Sequence, residues 1–80
     1  MSPLQVEILK VMQRHAECGV NELEKSCQLH RSPKQMRQDL GELIVNGYVE
    51  QIHDPEQGFI RGYRLTQLGG KAAVSQRFAS

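Results

Sequence analysis

No stretch of this chain approaches the roughly eighteen consecutive apolar residues that a membrane span requires. The first residues, Met1-Ser2-Pro3-Leu4-Gln5-Val6-Glu7, lack the basic and then apolar layout of a signal peptide. These two absences lead us to expect a cytoplasmic protein with no membrane partner. A Gly-rich phosphate loop is also missing, as are paired carboxylates at a recognisable cleft and a Ser or Cys beside a positioned base. His53-Asp54 falls in a turn-rich segment with no pocket implied. With 80 residues, the chain has little room for a substrate cleft, so neither an enzyme nor a cofactor is expected. No internal repeat, linker or low-complexity segment divides it, and residues 1–80 read as a single domain. A chain of this size buries only about 60–65% of its unfolded surface, which leaves a thin stability margin. Its 39% apolar content is enough for one small core.

Cysteine is scarce: Cys18 and Cys27 are the two. With His15 and His30 they form His15-x-x-Cys18 and Cys27-x-x-His30, a set that zinc can use. Against that reading, Cys27 lies four residues after Leu23 on a helical inner face, where a free cysteine serves as a small apolar residue. Structural zinc pairs also fall on knuckles more often than at the ends of packed helices. No metal is expected, and a Cys18–Cys27 disulfide is not expected in a reducing compartment.

The most informative stretch runs from Arg31 to Val49. Ser32 can cap a helix, Pro33 suits its first position, and Gln35 is placed to complete a capping box with Ser32. Met36, Leu40, Leu43 and Ile44 recur at helical spacing as one apolar stripe, and Gly47 stands where a left-handed residue ends a helix. The spacing predicts a helix over about 33–46 whose front carries Lys34, Gln35, Arg37 and Gln38.

Net charge is only +1, so its distribution matters more than its sum. Residues 31–38 hold Arg31, Lys34 and Arg37 with no acid. From Gln57 onward Arg61, Arg64, Lys71 and Arg77 are likewise unaccompanied. Positive charge gathered on one side of a fold is the footprint of a nucleic-acid partner.

Elsewhere, Ser2, Pro3 and Gln5 mark the start of a first helix. Leu4, Ile8, Val11, Met12 and His15 form its inner face, and its end is expected near Glu17, before Gly19. Cys18-Gly19-Val20 is one extended link. Asn21, with Glu24 as box partner, is expected to cap a short second helix over about 22–28, with Leu23 and Cys27 inside and Leu29 closing it. After Gly47 the period becomes alternating. Residues 48–52 and 59–65 read as two strands around the turn formers of 53–58, forming a wing-like hairpin over about 48–65. Phe59, Arg61, Tyr63 and Leu65 are expected on one face of the second strand. Thr66 caps a last helix weakened by Gly69 and Gly70, each costing about 1 kcal/mol in a helix interior. Fraying is expected at Phe78-Ala79-Ser80.

This order, with a tight turn between the second and third helices, resembles a winged helix-turn-helix domain, α+β and mostly helical. Ser32-Pro33-Lys34-Gln35-Met36-Arg37-Gln38-Asp39-Leu40 is similar to the recognition helix of DeoR-type repressors. Leu40-x-x-Leu43-x-x-x-Gly47-Tyr48-Val49 resembles the helix end shared by DeoR-type and MarR-type regulators. Tyr63-Arg64-Leu65-Thr66-x-x-Gly69 is similar to the end of the wing in MarR-type and PadR-type domains. Two departures stand out. Arg31 replaces a commonly apolar residue, and the wing tip Asp54-Pro55-Glu56 is acidic where DNA-binding wings are usually basic.

The resemblance implies a transcription regulator that inserts helix 33–46 into the major groove of double-stranded DNA. Lys34, Gln35, Arg37 and Gln38 would read bases, since Arg and Lys suit guanine and Gln suits adenine. Arg31 and Ser32, at the helix N-terminus, are placed for a phosphate. Arg61 and Arg64 lie on opposite faces of the wing by alternation, and Arg61, nearer the tip, is the one expected to face DNA. A homodimer on two half-sites is the usual route to specificity, with the first helix or Ala72, Val74 and Phe78 as candidate interfaces. The alternative is a winged-helix adaptor that docks a protein partner and binds no DNA.

Overall fold

In the computed structural model, which describes residues 1–29 and 31–79 and side chains as far as Ser75, helix α1 spans Pro3–Gln13. Its start is set as the sequence implies. The Ser2 Oγ accepts the Gln5 N–H (3.1 Å), and the Gln5 Oε1 accepts the Ser2 N–H (2.9 Å). The helix stops earlier than expected. Arg14 closes it, its N–H reaching back to the Val11 carbonyl (3.1 Å) and the His15 N–H to that of Met12 (3.3 Å), so His15 lies outside the helix and is exposed. Leu9, not singled out from the sequence, is fully buried beside Ile8.

Helix α2 (Val20–Ser26) begins one residue after Gly19, which occupies the N-cap without any side-chain bond. The expected cap at Asn21 is therefore wrong. Cys18 is held as a strand residue, which makes the chain turn at Gly19 and enter the helix before Asn21. Cys27 closes α2, earlier than the end expected near Gln28 and Leu29, and Leu29 lies beyond it, 53% exposed. Cys18 pairs with Tyr63 through two backbone bonds of 2.9 and 2.8 Å, adding one rung to the edge of the hairpin.

Helix α3 (Pro33–Val45) buries Met36, Leu40 and Leu43 against α1 and α2. Each such fully buried side chain stabilises the fold by roughly 1.5–3 kcal/mol. At its end the Tyr48 N–H reaches the Leu43 carbonyl (2.9 Å) and the Gly47 N–H reaches that of Ile44 (3.1 Å). Gly47 has the left-handed φ of 83° that this closure needs.

Strands β1 (Val49–His53) and β2 (Ile60–Leu65) form the two-stranded antiparallel hairpin. Its register runs from Val49 opposite Leu65 to Ile52 opposite Gly62, then slips so that His53 faces Ile60. Arg61 is thus the extra residue of a β-bulge, which breaks the alternation expected through Phe59, Arg61, Tyr63 and Leu65. The turn is built by Asp54. Its carboxylate accepts the N–H groups of Glu56 (2.9 Å) and Gln57 (2.8 Å), and its carbonyl accepts that of Gly58. Those two amides hold the Asp54 carboxyl below the usual carboxylate range, with Arg61 assisting.

Helix α4 (Gln67–Ala79) packs on α1 and β2 and buries Ala73. Thr66 caps it as expected, its Oγ1 accepting the Gly69 N–H at 3.1 Å. Helix geometry continues through Phe78 and Ala79, where fraying is expected, and Ser80 lies outside the described residues. Gly69 is more than a weak helix former. A Cβ there would lie 1.9 Å from the Tyr48 carbonyl oxygen, so the absence of a side chain is what lets α4 meet the end of α3.

Two expectations follow. Gly69→Ala should lower stability by about 1–3 kcal/mol through overpacking, outweighing the helix-propensity gain of about 1 kcal/mol, and a urea midpoint reads the difference. For Asp54, the lowered folded pKa means its contribution is present above the ordinary carboxylate value and lost as pH falls through the folded value. Hydrogen exchange at the Glu56 and Gln57 amides, corrected for intrinsic rates, should speed up over that acidic window. The change should be absent in Asp54→Ala.

Candidate nucleic-acid interface

The outward side of α3 follows from which side is buried. With Met36, Leu40 and Leu43 turned inward, helical spacing puts Lys34, Arg37, Gln38, Gly41 and Val45 on the opposite side. Lys34, Arg37 and Gln38 are exposed, and Val45 is 85% exposed. The structure therefore brings three of the four residues expected at the helix front onto one open face.

Gln35 differs. It is half-buried, and its Oε1 accepts the Arg31 N–H at 2.7 Å. The reciprocal arm of the expected capping box thus reaches one residue upstream of Ser32. Two-point reading of adenine uses both the amide oxygen and nitrogen, and here the oxygen is already engaged in the helix start. The Ser32 Oγ accepts the Gln35 N–H at 3.1 Å, and Pro33 has no N–H to offer. Of the first-turn amides, that leaves the Lys34 N–H without an acceptor among the described residues. The Arg31 side chain stands exposed beside it.

Charge compensation separates the helix from the wing. The two ion pairs among the described residues are both on the wing strand. Arg61, re-aimed by the bulge, reaches the Glu17 carboxylate at 3.1 Å, in the link between α1 and α2. Arg64 pairs with Glu50, its cross-strand neighbour. Both pairs are about half exposed, so each is worth little to stability and can exchange partners. Arg31, Lys34 and Arg37 join no ion pair among the described residues.

Several residues that position this face were not singled out as such from the sequence. The Ser2 Oγ donates to the Asp39 carboxylate (3.2 Å), and the Gln5 Nε2 donates to the Glu42 carboxylate (2.6 Å). Gln5 is 6% exposed while Glu42 is exposed, so this is a partly buried polar clamp between α1 and one flank of α3. The Glu7 carboxylate accepts the Leu29 N–H at 2.9 Å and ties the turn before α3 to α1. The signal for the clamp was present, since Asp39 and Glu42 lie three apart on one helix flank. Their partners, 37 residues earlier in the chain, cannot be read from spacing.

The cysteine–histidine set does not assemble among the described residues, where no three His, Cys, Asp or Glu side chains come close enough to hold a metal. Cys18 and Cys27 are buried and form no disulfide with each other, His15 is exposed, and His30 lies outside the described residues. Burial pushes the Cys27 thiol up to about 11, with the Glu7 carboxylate adding to it, and burial likewise raises Cys18. Both are protonated core residues at neutral pH and poor nucleophiles. Of the candidate dimer residues, Ala72 is half-buried against the core and Val74 is 41% exposed, while the Phe78 side chain lies outside the described residues. None of the described helices is long and apolar enough to cross a membrane.

No family model matches the chain, and no curated protein matches it. Among solved structures, the crystal structure of wild-type MarR from E. coli, in its apo form, matches with a TM-score of 0.73 at 25% sequence identity. The match covers 95% of this chain and 54% of that one, so this chain spans about half the length of that protein. Four helices, a two-stranded hairpin and this structural match agree with the expected architecture, and the chain is a winged helix-turn-helix domain that fits the MarR-type winged helix.

Proposed function

We propose that this domain binds duplex DNA in a sequence-specific way and acts in transcription regulation, with α3 as the recognition helix. One observation carries the reading. The exposed face of α3 presents Lys34 and Arg37, with Arg31 beside them, and no carboxylate among the described residues neutralises them. Likeness to MarR supports the same reading. In this account α3 lies in the major groove. Arg37, Lys34 and Gln38 read base edges, and Gln35 contributes chiefly through its free amide nitrogen. Arg31, the Lys34 amide and the Ser32 cap face a phosphate. On the wing, Arg61 and Arg64 exchange Glu17 and Glu50 for backbone phosphates. A homodimer on two half-sites would supply the remaining specificity. The reading assigns no catalytic residue, metal or cofactor, and places the protein in the cytoplasm.

A second reading, a protein–protein adaptor without DNA binding, is favoured by the wing. Both its arginines are charge-compensated, and Phe59 (53%) and Ile60 (43%) are exposed there.

Fluorescence anisotropy with a mixed-sequence duplex of about 30 base pairs at several salt concentrations separates the two. Two or three neutralised phosphates give a slope of log K against log salt between about −2 and −3 per domain, and recruitment of the wing arginines makes it steeper. Absence of binding at low salt overturns the DNA reading in favour of the adaptor. On a selected site, Arg37→Ala should weaken binding by about 5- to 150-fold and relax base preference while leaving the melting temperature unchanged.

A further inference from the structure

Gly41 is a residue on the outward face of α3 that the fold itself does not explain. It lies inside the helix, where glycine is less favourable than alanine. Its backbone is not left-handed, since the glycines with positive φ are Gly47 and Gly58. Packing does not require it either, because a Cβ built there meets nothing within 4 Å. Gly69 differs, because there the Tyr48 carbonyl excludes any side chain. Nothing among the described residues therefore accounts for a bare backbone at position 41, which points to a contact outside them. Its place on the helix indicates what that is. Gly41 follows Arg37 by four residues and Gln38 by three, and precedes Val45 by four, so it sits, itself half-buried, in the middle of the outward face those exposed residues share.

We propose that Gly41 is the point of closest approach between α3 and the bound duplex, a notch that lets the helix seat deeply enough for Arg37 and Gln38 to reach base edges. The inference rests on the DNA-binding reading given above. A helix with its side chains is about 10–12 Å across, and the major groove is about 12 Å wide, so little clearance exists along the midline of the inserted face. A methyl group at that midline holds the helix outward. Hydrogen bonds from Arg37 and Gln38 then lengthen, although neither residue has changed. Gly41 thus acts as a positioning residue, making no polar contact itself.

The test compares stability with affinity in the same proteins. Gly41→Ala should melt at a higher temperature than the parent and yet bind a selected duplex roughly tenfold more weakly, the loss expected when one base-reading pair is pulled out of range. Gly41→Gln, larger and also a good helix former, should bind more weakly still. Gly70→Ala is the control. That glycine also has open surroundings, but it lies on α4, which packs on α1 and β2, and its substitution should raise melting without altering binding. The proposal is overturned if the parent binds and Gly41→Ala binds equally well. It is also overturned if Gly41→Ala melts lower than the parent, or if Gly70→Ala weakens binding to the same degree. Failure of the parent itself to bind any duplex is a different result, and removes the DNA reading together with this inference.

Discussion

The backbone of Tyr48 is the point on which the arrangement of this domain depends. Its N–H closes α3 by bonding to the Leu43 carbonyl (2.9 Å), and its carbonyl accepts the Thr66 N–H (3.1 Å) and lies against Gly69. Thr66 completes the joint by donating its Oγ1 hydrogen to the Gly47 carbonyl (2.5 Å) while accepting the Gly69 N–H. The end of α3, the start of β1, the end of β2 and the start of α4 therefore meet in one small set of bonds. These elements cannot shift independently without losing several of these bonds at once. From the middle of α3 onward, the Ser2–Asp39 and Gln5–Glu42 bonds hold the helix against α1. Held at its middle by α1 and at its C-terminal end by this joint, α3 presents its outward face in one orientation relative to the wing.

Much of this was legible in the sequence because local rules govern it. Ser2 and Ser32 cap their helices, Gly47 ends α3, Thr66 starts α4, and the apolar periods name Ile8, Met36, Leu40 and Leu43 correctly. Local rules failed where distant parts of the chain intervene. Asn21 looks like a cap, but the pairing of Cys18 with Tyr63 sets the chain on course to start the helix two residues earlier. Gly69 reads as a poor helix residue until the Tyr48 carbonyl is placed above it. Simple alternation puts Arg61 and Arg64 on opposite faces of the wing, and the bulge at Arg61 interrupts it.

The same distinction applies to the candidate interface. That basic side chains stand on the front of α3 is a matter of helical period and is visible in the sequence. That both wing arginines are already paired, one with Glu17 and one with Glu50, depends on strand register and on the path of the α1–α2 link. The acidic wing tip also changes meaning, since the Asp54 carboxylate builds the turn with two backbone amides and is there for folding. Under the proposed DNA reading, electrostatic attraction falls on α3 more than on the wing, whose arginines would have to exchange one carboxylate partner each for a phosphate.

The measurement that tests this account most directly is a map of backbone amide chemical shifts as a short duplex is added to the isotopically labelled protein. The account expects the largest changes at Lys34, Arg37, Gln38 and Gly41 along one face of α3, with smaller ones at Arg61 and Arg64. Changes confined to the wing around Phe59 and Ile60, with α3 undisturbed, would contradict it.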